Sequence, residues 1–102
     1  MISLAKQILK IASSYFNIHP DVLTTCRTNI LSVNRAKQIA QYLIYKHCNI
    51  SYKEISFQFN CSERTISRNI HLALSNINTN KNYQKNVKDI EELIIEELNE
   101  FI

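Results

Sequence analysis

Arg64 and Arg68 stand one helical turn apart, with Thr65 and Ser67 between them and Ser62 and Glu63 just before. A guanidinium offers paired donors that match the O6 and N7 acceptors of guanine. Serine and threonine hydroxyls bond base edges or phosphate, and a glutamate accepts from a cytosine amino group or clamps an arginine within the helix. Upstream, Arg35, Lys37 and Gln38 fall at the start of another helical stretch. There a side chain and a backbone N–H can share one phosphate. Tyr45, further along that stretch, is a weaker candidate for the same task, and Arg27 lies in the connector before it. These residue types in this spacing do the chemistry of polyanion recognition.

Other chemistries find little support. The chain has Gly 0, and phosphate-cradling loops of the P-loop or dinucleotide type need glycine where backbone approaches the ligand. His47, Cys48 and Cys61 raise a metal site, but no fourth ligand at zinc spacing is evident, and His19 and His71 are scattered. Buried thiols and a core-edge histidine are the favoured reading. A Cys48–His47 nucleophile is disfavoured because adjacent helical residues point apart. Tyr42, Tyr45 and Tyr52 could stack on single-stranded bases, although packing and interface contacts suit them better. The expectation is a protein that is not an enzyme, with no cofactor, metal or small-molecule substrate.

The elements that must position the arginines carry their own start and stop signals. Ser51 and Glu54 have capping-box spacing, and Ile50 with Ile55 can form a hydrophobic staple. Ser56 is small where a second helix must cross closely. Asn60 suits the left-handed conformation that ends a helix. Ser62 then caps a new helix with Glu63 in its positive first turn. Ile66, Ile70, Ala73, Leu74 and Ile77 turn inward, leaving Ser62, Glu63, Arg64, Ser67 and Arg68 outside. Residues 51–77 therefore read as a helix-turn-helix, a motif whose second helix enters the DNA major groove.

The remaining elements are helical too. Ser3 can cap a first helix whose stripe is Leu4, Ile8, Ile11, Ala12 and Tyr15, ended by Asn17 and Pro20. Pro20 can open a short helical turn over 20–25, and 27–33 reads as a connector. Asn34 can cap a helix to about His47, with Ala36, Ile39, Ala40, Leu43, Ile44 and His47 inside and Asn34, Lys37, Gln38, Gln41 and Tyr45 outside. Asn78 to Tyr83 reads as a loop, and 84–102 as an amphipathic, acidic last helix with Val87, Ile90, Ile94, Leu98 and Phe101 on its stripe. The result is an all-α, compact helical domain spanning 1–102.

A net charge of +3 hides an asymmetry. Residues 1–80 hold nine Lys and Arg against three acids, and 81–102 hold three Lys against six acids. A basic body fits a polyanionic partner. The acidic last helix is chiefly a solvated face over a packed stripe, with a homodimer seam or an inhibitory flap over the basic surface as lesser readings. Three cysteines without a C-x-x-C pair suggest a reducing compartment, and neither a signal peptide nor a membrane span is expected. A cytoplasmic, nucleoid-associated location without membrane contact is the corresponding expectation.

Over about residues 4–98 the chain resembles the C-terminal DNA-binding domain of the bacterial replication initiator DnaA. The likeness is carried by Ile8-Leu9-Lys10-Ile11-Ala12 with Tyr15-Phe16-Asn17-Ile18, by Arg35-Ala36-Lys37-Gln38-Ile39-Ala40-Gln41-Tyr42-Leu43, and by the helix-turn-helix with its closing amphipathic helix. The resemblance implies binding of short asymmetric DNA boxes by a single module. It implies that Lys37 and Gln38 hold phosphates, that Arg27 enters the minor groove, and that Glu63, Arg64 and Thr65 occupy the positions of the family's base-reading Asp-His-Thr. The turn here is slightly shorter and lacks the family's Gly-Gly-Arg, and these 102 residues do not hold the family's ATPase domain, so no ATPase activity is expected of them.

The reading is thus sequence-specific duplex-DNA binding at initiator-box-like sites, in the regulation of replication or transcription. The alternatives are a dimeric sigma-like or repressor-like regulator, and a protein-interaction domain using the basic face.

Overall fold

A computed structural model describes residues 3–24 and 30–100. Among them are six helices: α1 (Leu4–Phe16), α2 (Pro20–Leu23), α3 (Leu31–Cys48), α4 (Tyr52–Phe59), α5 (Glu63–Thr79) and α6 (Lys81–Glu100). No strand occurs among the described residues, and the fold is all-α.

Serine caps set the starts of three of these helices. The hydroxyls of Ser3, Ser51 and Ser62 accept from the backbone N–H of Lys6, Glu54 and Thr65 at 3.3, 3.2 and 3.2 Å. Each satisfies one N–H that the helix itself leaves without a partner. Asparagines set three ends. Asn17, Asn49 and Asn60 all take left-handed backbone, with φ of 55, 54 and 56°. A chain with Gly 0 uses the one other residue that enters that region cheaply.

Central in the fold is α3, which packs on α1 on one side and α5 on the other. Its buried stripe of Ala36, Ile39, Ala40, Leu43 and Ile44 faces both. Ile8 and Ala12 come from α1, Ile55 and Phe59 from α4, and Ile66, Ile70 and Ala73 from α5. Truncating any one of the fully buried isoleucines to alanine is expected to cost about 2–5 kcal/mol. Asn69 in mid α5 meets Gln41 in mid α3, and Tyr83, just past the end of α5, meets Gln38 nearer the start of α3. The two helices therefore run in opposite directions. α6 then turns back, packing on α5 and α1.

Three boundaries differ from the sequence reading. α3 begins at Leu31, and its N-cap Ile30 makes no side-chain cap bond, so Asn34 lies inside the helix. The expected loop 78–83 shrinks to Asn80, because α5 continues to Thr79 and α6 starts at Lys81. Tyr83, assigned to that loop, is 1% exposed and among the largest fully buried side chains. Leu74 is the reverse case: expected on the buried stripe, it is 42% exposed. The side chains expected at Leu98 and Phe101 lie outside the described residues.

Candidate nucleic-acid interface

The α4–α5 corner is built by local hydrogen bonds. The left-handed Asn60 and the following Cys61 both donate their backbone N–H to the Ser56 carbonyl. Asn60 Nδ2 also donates to the Thr24 carbonyl at 3.2 Å, fastening the turn to the end of α2. Two residues later Ser62 caps α5, and its hydroxyl lies 3.0 Å from that of Thr65. The Thr65 hydroxyl is thereby held at the cap and is half-buried.

Ile66 and Ile70 anchor the inner face of α5, at 0% and 2% exposure. Glu63, Arg64 and Arg68 are exposed on the outer face, and Ser67 is half-buried. Among the described residues, neither arginine joins an ion pair. The α5 N-terminus therefore presents two guanidiniums to solvent above a packed face.

Beside them, Tyr45 of α3 and Tyr52 of α4 stack with ring centroids 4.9 Å apart at 30°. Burial raises the Tyr52 phenol above its usual value, and hydrogen bonding to Tyr45 adds to this while Ser67 opposes it. Three helices thus bring hydroxyls together next to Arg64 and Arg68. Tyr52 and the exposed Lys53 in the first turn of α4 belong to this surface, and the sequence reading gave neither a role on duplex DNA. A usable signal was present: Lys53 follows the Ser51 cap directly, where a helix-turn-helix brings its first helix near the backbone of the duplex.

The start of α3 lies elsewhere. Arg35 is half-buried, with its guanidinium carbon 5.9 Å from the Tyr83 ring centroid. Gln38 Oε1 accepts from the Tyr83 hydroxyl at 3.3 Å. Burial pushes the Tyr83 phenol up to about 12, and hydrogen bonding to Asn76 and the Arg35 charge oppose the rise. Asn76 is twelve residues beyond Arg64, or about 18 Å along the helix. Arg35 and Gln38 are therefore at the opposite end of α5 from the exposed arginines.

Two residues placed on the outer face by sequence are inside. Lys37 is 4% exposed and Gln41 is 0% exposed. Both lie on the side of α3 that its neighbours cover, so Lys37 offers almost no surface to a phosphate. Arg27 lies outside the described residues.

Acidic side chains tie α6 to its neighbours. Glu91 accepts from Lys46 at 3.0 Å and pairs with His47 Nε2 at 2.9 Å. The Tyr15 hydroxyl donates to Asp89 at 2.8 Å. These contacts fix α6 against α3 and α1 and leave Arg64 and Arg68 uncovered. Among the described residues no group of three His, Cys, Asp or Glu gathers where it could hold a metal ion, and no helix is long and apolar enough to cross a membrane. No protein-family model matches the sequence, and no curated protein matches it.

Proposed function

We propose that this chain binds duplex DNA, with the first turns of α5 in the major groove. Arg64, Thr65 and Arg68 face base edges or the flanking backbone. Ser67, Tyr45, Tyr52 and Lys53 meet phosphates on one side, and Glu63 helps select the base beneath Arg64. The carrying observation is the capped α4–Asn60–α5 corner, which buries Ile66 and Ile70 while leaving Arg64 and Arg68 exposed without an ion pair. A short turn, a packed inner face and a basic outer face are the requirements of a recognition helix.

Replication initiation or transcription is the process we assign to it, on its likeness to the initiator's DNA-binding domain. Arg35 and Gln38 enter this reading only as distant backbone contacts, and Lys37 drops out because it is buried. Selection of bound sites from random duplexes tests the proposal. It expects an asymmetric preferred site related to initiator boxes, with affinity that falls steeply as salt rises. A palindromic site bound by a dimer would replace it with the dimeric-regulator reading. Absence of duplex binding at low salt would leave a protein-interaction domain.

A further inference from the structure

We infer that α6 carries a second DNA-backbone contact, in which Lys81, Lys85 and Lys88 follow one strand of the duplex whose groove α5 occupies. The inference rests on the DNA-binding reading above.

The three lysines are all exposed, and spacings of four and three place them on one stripe of the helix. None of them joins an ion pair among the described residues. Their natural intrahelical partners are otherwise engaged or not closed upon. Asp89, four residues after Lys85, accepts from Tyr15. Glu91 is taken by Lys46 and His47. Glu92, four residues after Lys88, is exposed and makes no ion pair. A self-neutralised surface is therefore not what the stripe builds.

The order of charge along α6 sharpens the point. The lysines occupy the first half, and Glu92, Glu96 and Glu97 occupy the second. The first turn holds no acid and the last turn no base. A helix dipole favours the reverse arrangement at both ends. Lys81, in the first turn, is thus placed against the stability of its own helix, and Lys85 and Lys88 continue its stripe without an acid to neutralise them. The helix terminus itself is not the feature on offer, because Asn80 Oδ1 already accepts the Tyr83 N–H at 3.1 Å.

Dimensions suit a nucleic-acid strand. Lys81 to Lys88 spans seven residues, or about 10 Å of helix. A DNA strand presents one phosphate per ~3.4 Å of duplex axis and winds about that axis, so its phosphates stand farther apart than this, and the stripe with its side-chain reach meets about two to three of them. Lys81 follows α5 by two residues and lies seventeen residues past Arg64, about 25 Å along that helix. The stripe therefore meets backbone beyond the groove segment beneath Arg64 and Arg68, and lengthens the footprint instead of duplicating the first contact. The net negative charge of 81–102 conceals this, because five of its six acids sit in the other half of the helix.

The test compares wild type, K81Q/K85Q/K88Q and K81R/K85R/K88R for binding to a labelled random duplex of about three helical turns, across a salt series. The glutamine variant is expected to lower the slope of log affinity against log salt by about 2–3 units, equally on preferred and random duplexes, while the arginine variant keeps it. Relief of the adverse dipole should leave the glutamine variant melting no lower than wild type, so that lost affinity is not unfolding. A wild-type slope retained by the glutamine variant, with wild type binding duplex, overturns this inference and leaves the DNA-binding reading standing. Failure of wild type to bind any duplex at low salt removes both together.

Discussion

Asn69 Nδ2 donates to Gln41 Oε1 at 2.9 Å, and this one bond fastens the middle of α5 to the middle of α3. Gln41 is fully buried, and its own Nε2 has no hydrogen-bond partner among the described residues. Its amide is therefore half-satisfied, and Asn69 supplies the satisfied half. Asn69→Leu should cost about 1–3 kcal/mol, because it orphans the remaining buried polar atom. Gln41→Leu combined with Asn69→Leu should recover most of that loss, since no buried amide is left to desolvate. Denaturant unfolding of the two singles and the double closes the cycle. A double variant as unstable as the sum of the singles would show that the bond does not couple the helices.

Lys37 separates the structural reading from the sequence reading in one measurement. Read as a surface cation, it would hold a phosphate, and its loss would lower the salt slope of DNA binding by about one unit. At 4% exposure it is instead covered within the helical packing. Lys37→Met should leave the salt slope unchanged while altering the unfolding midpoint. A slope reduced by one unit, with stability intact, would return Lys37 to the interface.

Much of the fold was legible because local chemistry and global packing agreed. Ser3, Ser51 and Ser62 are caps in sequence and in space, and Asn17 and Asn60 end helices as their backbone tolerance suggests. The sequence failed where composition and packing disagreed. Asn78 to Asn82 has turn-like composition, yet Tyr83 at its edge begins the apolar stripe continued by Val87, Ile90 and Ile94, and burial of Tyr83 draws the chain before it into helix. Leu31 to Val33 has no side-chain cap and no acidic first turn, so nothing local marks where α3 begins. At the candidate site, the exposure of Arg64 and Arg68 followed from the isoleucine spacing alone. The inward turn of Lys37 could not, because a charged side chain ordinarily lies at the surface, and which side of α3 is covered depends on where α1 and α5 pack. Separation of Arg35 and Gln38 from Arg64 likewise depends on the opposed directions of α3 and α5.

Acid should loosen the attachment of α6. Burial alone would raise the Glu91 carboxyl, but hydrogen bonds and charge from Lys46 and His47 outweigh it and hold the group below its usual 4.5. A carboxylate lowered in the folded state contributes stability that is fully present above its unfolded value and is lost as pH falls through the folded one. Wild type should therefore lose stability below about pH 4.5 more steeply than Glu91→Gln does, and the gap between them should be widest near neutrality. The pair is partly solvent-exposed, so the effect is modest. Urea unfolding of both proteins across that range decides the matter. Parallel acid profiles would mean that the Lys46–Glu91–His47 cluster adds nothing to stability.

Arg64 should read a base and not merely attract a strand. It stands in the first turn of α5, two residues past the Ser62 cap, exposed and without an ion pair among the described residues. Its paired donors match the O6 and N7 of guanine, a geometry that the histidine of the initiator family cannot reproduce. The expected site is thus related to the initiator box but altered, with a guanine beneath Arg64. Arg64→Ala should cost about 1–3 kcal/mol on the preferred site and relax preference at one base pair. The matching control is Lys53→Ala, which should weaken every duplex alike and lower the salt slope by about one unit, as expected of a phosphate contact. Affinities measured on the preferred site and on its single-base variants distinguish the two. Equal losses on every sequence for Arg64→Ala would make Arg64 a backbone contact and pass base reading to Arg68 and Thr65.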